Sequence, residues 1–85
     1  MSKQRIAVTI FNEQYALKSD LSEEKVQKLA NQVDSRMKRI HSAQSSLSLS
    51  RIAVLVALEL ADEAMNHKEA YDSLMDVIKE ELKED

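Results

Sequence analysis

Neither glycine nor proline occurs in this chain of 85 residues. Without glycine there is no phosphate-cradling loop, which needs close backbone approach to its ligand. Without either residue the chain has few places to break, so few, long elements are expected. Cysteine is absent as well, which excludes a disulfide framework and thiolate metal sites. There is no Trp, one Phe and two Tyr, so stacking platforms for nucleic-acid bases are lacking. The longest apolar run, Ile52 to Leu58, has seven residues, against the roughly 20 that a membrane-spanning helix requires. The N-terminal "MSKQRIAVTIF" is too short and too alternating for the core of a signal peptide. The expectation is a soluble, cytoplasmic protein without membrane insertion.

What is present is helical material. Hydrophobic residues make up 44% and charged residues 32%, a balance rich in Ala, Leu, Glu and Lys that suits long helices and coiled coils. A single domain of this size buries only about 60% of its unfolded surface, so self-association is expected. The net charge of −3 is unevenly spread: residues up to Ala43 carry +3 and those from Gln44 carry −6.

Residues Arg5 to Ile10 alternate, with Ile6, Val8 and Ile10 on one face, the period of a half-buried strand. Gln14 to Lys18 alternate again through Tyr15 and Leu17. A hairpin turn is expected at Asn12-Glu13, because Asn tolerates left-handed backbone angles. Such a hairpin is marginal alone and must lie on a helix or a partner. Ser22 is a good N-cap, with Glu23 and Glu24 in the first turn; Asp20 with Glu23 is the competing start. The helix runs to about Ala43 with Val26, Leu29, Ala30, Val33, Met37 and Ile40 in one stripe, and Lys25, Lys28, Gln32, Arg36 and Arg39 in a second stripe beside it.

Serines at 42, 45, 46, 48 and 50 favour caps and turns, which places the link between helices there. A second helix is expected to start between Leu47 and Ser50 and to run nearly to the end. Its first part, "RIAVLVALELADEA" from Arg51, is apolar almost all round and cannot be covered by this chain alone. Val54, Ala57, Ala61, Ala64, Lys68, Tyr71, Met75, Ile78 and Leu82 follow one another at alternating gaps of three and four, the spacing of a coiled-coil seam. Beyond Lys68 only this seam is expected to be apolar. Lys68 and Tyr71 within it either fix register or simply pack. The chain is expected to divide into a head, residues 1–64, and a coiled-coil extension of the same helix, residues 65–85.

Few residues suggest chemistry. His41 and His67 have no converging ligands, whereas a metal site needs three or four. Asp62-Glu63 and Glu80-Glu81 are paired carboxylates without a pocket to shift them, and read as solvated. The cations of the first helix lie at the edge of its apolar stripe, not within it, which disfavours a helical enzyme gripping a dicarboxylate. No catalytic residue and no cofactor is expected.

The hairpin "RIAVTIFNEQYAL", the capped helix "SEEKVQKLANQVDSRMKRI" and the long "SRIAVLVALELADEAMNHKEAYDSL", in that order, resemble the ZapA family of bacterial cell-division proteins. The likeness runs from about Gln4 to the C-terminus and rests on pattern and order, with "VDSRM" and "RIAVLVALELADE" its most specific parts. Asn12 stands where the family often has Gly, and Glu59 where Asn is common. The resemblance implies an α+β protein, a short N-terminal β-hairpin plus amphipathic helix followed by a long coiled-coil helix. It implies dimers through the heads, joined by antiparallel coiled coils into tetramers. It also implies a non-enzymatic role at the mid-cell division ring, where the protein would bind FtsZ and crosslink its protofilaments, with no small-molecule substrate. Lys25, Lys28, Arg36, Arg39 and Arg51 are the candidate FtsZ-binding residues, on the ground that a basic edge suits an acidic filament; the plainer reading is that they solubilise the helix. The alternative function is a dimeric adaptor or nucleic-acid-binding module using the same edge, which the net charge disfavours.

Overall fold

The computed structural model describes residues 3–82, with side chains through Glu80. Four elements follow in order: β1 (Gln4–Ile10), β2 (Glu13–Ser19), α1 (Glu23–Ala43) and α2 (Leu49–Leu82). The protein is α+β, a two-stranded antiparallel hairpin on one helix followed by one long helix.

The turn sits one residue earlier than the sequence suggests. Phe11 and Asn12, not Asn12 and Glu13, occupy its centre, with φ of 52° and 68°. Positive φ at both central positions matches the right-handed twist of the strands. Either turn would leave the same side chains on the same face, because moving the pairing by two residues in total conserves the alternation. The choice comes from α1. The Phe11 amide donates to Asp34 Oδ1 at 2.8 Å, and this bond holds the tip over the helix. The observed register pairs Ile6 with Leu17 and Val8 with Tyr15, so all four side chains face α1.

Helix α1 begins as its sequence requires. Ser22 Oγ accepts from the Lys25 amide at 3.1 Å, and Glu23 and Glu24 fill the first turn. Its apolar stripe meets two small cores. Val26 and Ala30 bury against Ile6 and Val8. About two turns on, Met37 buries against Ile52 and Val56 of α2. Ile10 touches both clusters, and Phe11 packs on the second, so the hairpin tip also reaches the α1–α2 junction. Full burial of a side chain such as Ile52, 1% exposed, contributes about 1.5–3 kcal/mol.

The serine-rich link is short. Gln44 caps α1 by donating to the Ile40 carbonyl at 2.9 Å, and Ser48 Oγ accepts from the Arg51 amide at 3.2 Å to start α2. Helix α2 has 34 residues, about 51 Å at 1.5 Å each. It passes beyond the head and stretches the molecule to 59 Å in its longest direction. The radius of gyration is 18.3 Å, whereas a compact chain of this length has about 12 Å.

Candidate partner-binding surfaces

Two kinds of surface stand out, one charged and one apolar. The charged one lies where α1 crosses α2. Arg36 and Glu63 make a two-pronged contact, Nη1 to Oε2 at 2.7 Å and Nη2 to Oε1 at 2.8 Å, and Arg36 Nη1 also donates to Glu59 Oε1 at 3.2 Å. Arg39 Nη2 holds both oxygens of Glu59 at 2.9 and 3.0 Å. The fork-to-fork pairing of Arg36 with Glu63 fixes geometry as well as charge. Arg39 first and Arg36 second depress the Glu59 carboxyl below its ordinary value; Arg36 does the same to Glu63, and Glu63 foremost raises the Arg36 guanidinium. Glu63, which the sequence reads as merely solvated, is thus one of the two acids that clamp α2 to α1. The clue was available: Glu59 and Glu63 are one turn apart on the α2 face that carries Val56 and Leu60.

Of the five candidate cations, this geometry brings Arg36 and Arg39 together, on acids of their own chain. Lys25 and Lys28 are exposed near the start of α1 and make no ion pair among the described residues. Arg51 lies apart from them, lining a shallow groove with Leu47, Val54 and Leu55. These five cations therefore form no single patch. Asp34 joins the hairpin to α1: its carboxyl is held below the usual range first by the Phe11 amide and then by Lys38. His41 stacks its edge on Phe11, with ring centres 5.5 Å apart. No cluster of potential metal ligands occurs among the described residues.

The apolar surface belongs to α2. At 100° per residue, Ile52, Val56, Glu59, Leu60 and Glu63 face α1. Val54, Ala57, Leu58, Ala61 and Met65 lie on roughly the opposite side. There Val54 is 58% and Leu58 61% exposed. The seam positions Ala64, Tyr71 and Ile78 are exposed too, and Met75 is half-buried; the Leu82 side chain lies outside the described residues. The seam is not the whole of the apolar tail. Leu74 and Val77 are exposed beside it, and the expectation of an otherwise polar second half is corrected accordingly. No helix is long and apolar enough, among the described residues, to cross a membrane.

The family model described as cell division protein ZapA matches residues 6–84. A cell division protein ZapA of Oceanobacillus iheyensis is 39% identical over 77 residues, covering 91% of this chain and 90% of its own. One of a Geobacillus species is 30% identical over 82 residues, covering 96% and 94%. Among solved structures, a ZapA mutant dimer from Geobacillus stearothermophilus superposes with a TM-score of 0.76 at 29% identity, covering 93% of this chain and 92% of that one. A conserved bacterial protein of unknown function from Pseudomonas aeruginosa has the same fold, with a TM-score of 0.70 at 21% identity. Hairpin, capped helix and overlong apolar helix thus agree with the sequence likeness along nearly the whole chain, which belongs to the ZapA family of cell-division proteins.

Proposed function

We propose that this chain is a non-enzymatic crosslinker of FtsZ protofilaments, acting at the mid-cell division ring as a tetramer built from two dimers. The observation that carries the reading is the shape of α2: one helix with an uncovered apolar face in its head portion and another in the part that outreaches the head. The protomer exposes 7106 Å², where a compact chain of this mass exposes about 5,100 Å². The excess of about 2,000 Å² on one protomer is more than twice the roughly 800 Å² that each partner gives to a standard interface, which leaves room for more than one contact. Val54, Ala57, Leu58 and Ala61 suit a close head-to-head contact. Tyr71, Leu74, Met75 and Ile78 form a stripe wider than a two-stranded seam, which suits a bundle of more than two helices. On this reading residues 1–64 are the head and 65–85 the coiled-coil extension. The solved ZapA mutant from Geobacillus stearothermophilus is a dimer, which supports self-association.

A rod with a binding surface at each end links filaments, and two weak sites on one body gain avidity through effective concentration without new contacts. Lys25 and Lys28 are the cations we assign first to the filament, because Arg36 and Arg39 are already held by Glu59 and Glu63. Arg51 is assigned second. The test is co-sedimentation with polymerised FtsZ and electron microscopy of the pellet. The wild type should pellet with the polymer and bundle it, and Lys25→Glu/Lys28→Glu should pellet less while keeping its assembly mass. A wild type that stays in the supernatant at every concentration would refute the reading.

A further inference from the structure

The two edges of the hairpin are not equivalent. On β1 the Ala7 carbonyl accepts from Gln27 Nε2 at 2.9 Å, so it points away from β2 and is covered by a side chain of α1. Ala7 pairs with Ala16. In an antiparallel ladder both members of such a pair direct their backbone groups outward. Ala16, with Gln14 and Lys18 at alternate positions, therefore presents N–H and C=O groups along the far edge of β2. No hydrogen bond among the described residues uses them. An open edge of this kind is a template for one more strand.

Beside that edge runs a groove of about 370 Å³ between β2 and α1. Leu17, Leu21 and Leu29 line it and are 42%, 44% and 47% exposed. Its rim is basic. Lys18 lines the groove, and Lys25 stands one helical turn before Leu29. Arg5 is the direct cross-strand partner of Lys18. Like charges opposite one another weaken a hairpin, and neither residue has an acid in an ion pair among the described residues. An incoming acidic group would relieve that repulsion.

The geometry points to a binding site for an extended acidic peptide segment with apolar residues at alternate positions. The segment adds to β2 as a third strand: its apolar side chains enter the leucine groove, and its carboxylates, which alternation turns to the opposite face of the sheet, meet Lys18 and Arg5 there. Main-chain bonds would supply affinity, and the groove and rim specificity. A second copy of this chain is the weaker fit, since its β2 would bring its own Lys18 to the same edge. The inference deepens the filament reading, on which it rests for the identity of the protein that carries the segment.

The test is fluorescence anisotropy with the full chain and a labelled, end-blocked octapeptide of alternating Glu and Val. Saturable binding is expected, with none for the Lys-Val counterpart. Lys18→Glu and Leu29→Glu should each weaken it about tenfold or more, the loss of one good contact. Ala16→Pro removes an N–H that the hairpin does not use and should weaken it likewise. All three variants should keep the wild-type mass by light scattering. No binding up to about 1 mM peptide, the weak end of specific recognition, would overturn the proposal, as would variants that bind as tightly as the wild type. A fall in assembly mass for Leu29→Glu would also overturn it, because a second copy would then own the groove. Co-sedimentation with FtsZ is run on the same proteins. If the peptide binds and the filament does not, the filament reading falls and the groove stands.

Discussion

Phe11 has a backbone φ of 52°, in a region where side chains larger than hydrogen are strained. What holds it there is tertiary: the Asp34 carboxylate on its amide, and its side chain against the cluster of Met37, Ile52 and Val56. Phe11→Ala should destabilise the protein by removing the ring. Phe11→Gly removes the same ring but also relieves the strain, and should be the more stable of the two by up to about 1 kcal/mol. Urea denaturation of the pair measures the difference, and an Ala variant more stable than the Gly variant would contradict the strain. The same residue marks the limit of what could be read beforehand. Alternation at Ile6, Val8, Ile10, Tyr15 and Leu17 made the hairpin and its buried face legible. It could not choose between two turns that keep that face, and the choice rested on Asp34, which is 23 residues from Phe11 in sequence. Ser22, whose effect is local, was legible to the residue.

Among the elements, α1 and α2 are joined by little apolar surface, so their angle depends on a few residues. Ile52→Ala empties a site that is 1% exposed and should cost about 2–5 kcal/mol, a large share of what so small a domain has. Leu58→Asp, on the opposite face of α2, changes a residue that belongs to neither buried cluster; in a monomer it should be nearly neutral. If that face is the head contact, the variant instead lowers the mass seen by light scattering, and its melting temperature becomes strongly concentration-dependent. The charge clamp adds a pH dependence. Asp34, Glu59 and Glu63 all have folded pKa values below their ordinary ones. Their contribution is complete above the unfolded values, about 4. It is lost as the pH falls through the depressed folded values. Glu59→Gln/Glu63→Gln should flatten the acid limb of a melting-temperature profile between about pH 5 and 3, and an unchanged limb would remove the clamp from the account. The cation stripe of α1 was visible as a period. That half of it is neutralised from α2 was not, because pairing between helices depends on their crossing, which periodicity does not encode.

At the scale of the molecule, the part of α2 beyond the head has exposed Leu74, Val77 and Tyr71, at 57%, 59% and 62%, and no element of its own chain to cover them. The length of that helix was legible from the absence of breakers; how its apolar residues are shared between seam and flank was not, since a heptad count keeps only the residues that fit it. If the tail joins two dimers, a charge placed in its stripe must break the tetramer and spare the head. Ile78→Glu and Leu74→Glu put a carboxylate where burial would leave it unpaired, so both should stop at dimers in light scattering. Their circular dichroism should lose only the helix signal of the tail. Because Leu74 is off the seam, the two variants separate the possible assemblies. A simple two-stranded seam loses its tetramer only with Ile78→Glu, whereas a bundle of more than two helices loses it with both. The same dimers should still pellet with FtsZ polymer yet fail to bundle it, since each retains a head pair but has no second end. Bundling by a dimeric Ile78→Glu would show that crosslinking does not run through the tail, and the rod would then have to be replaced by two filament sites within a single head pair.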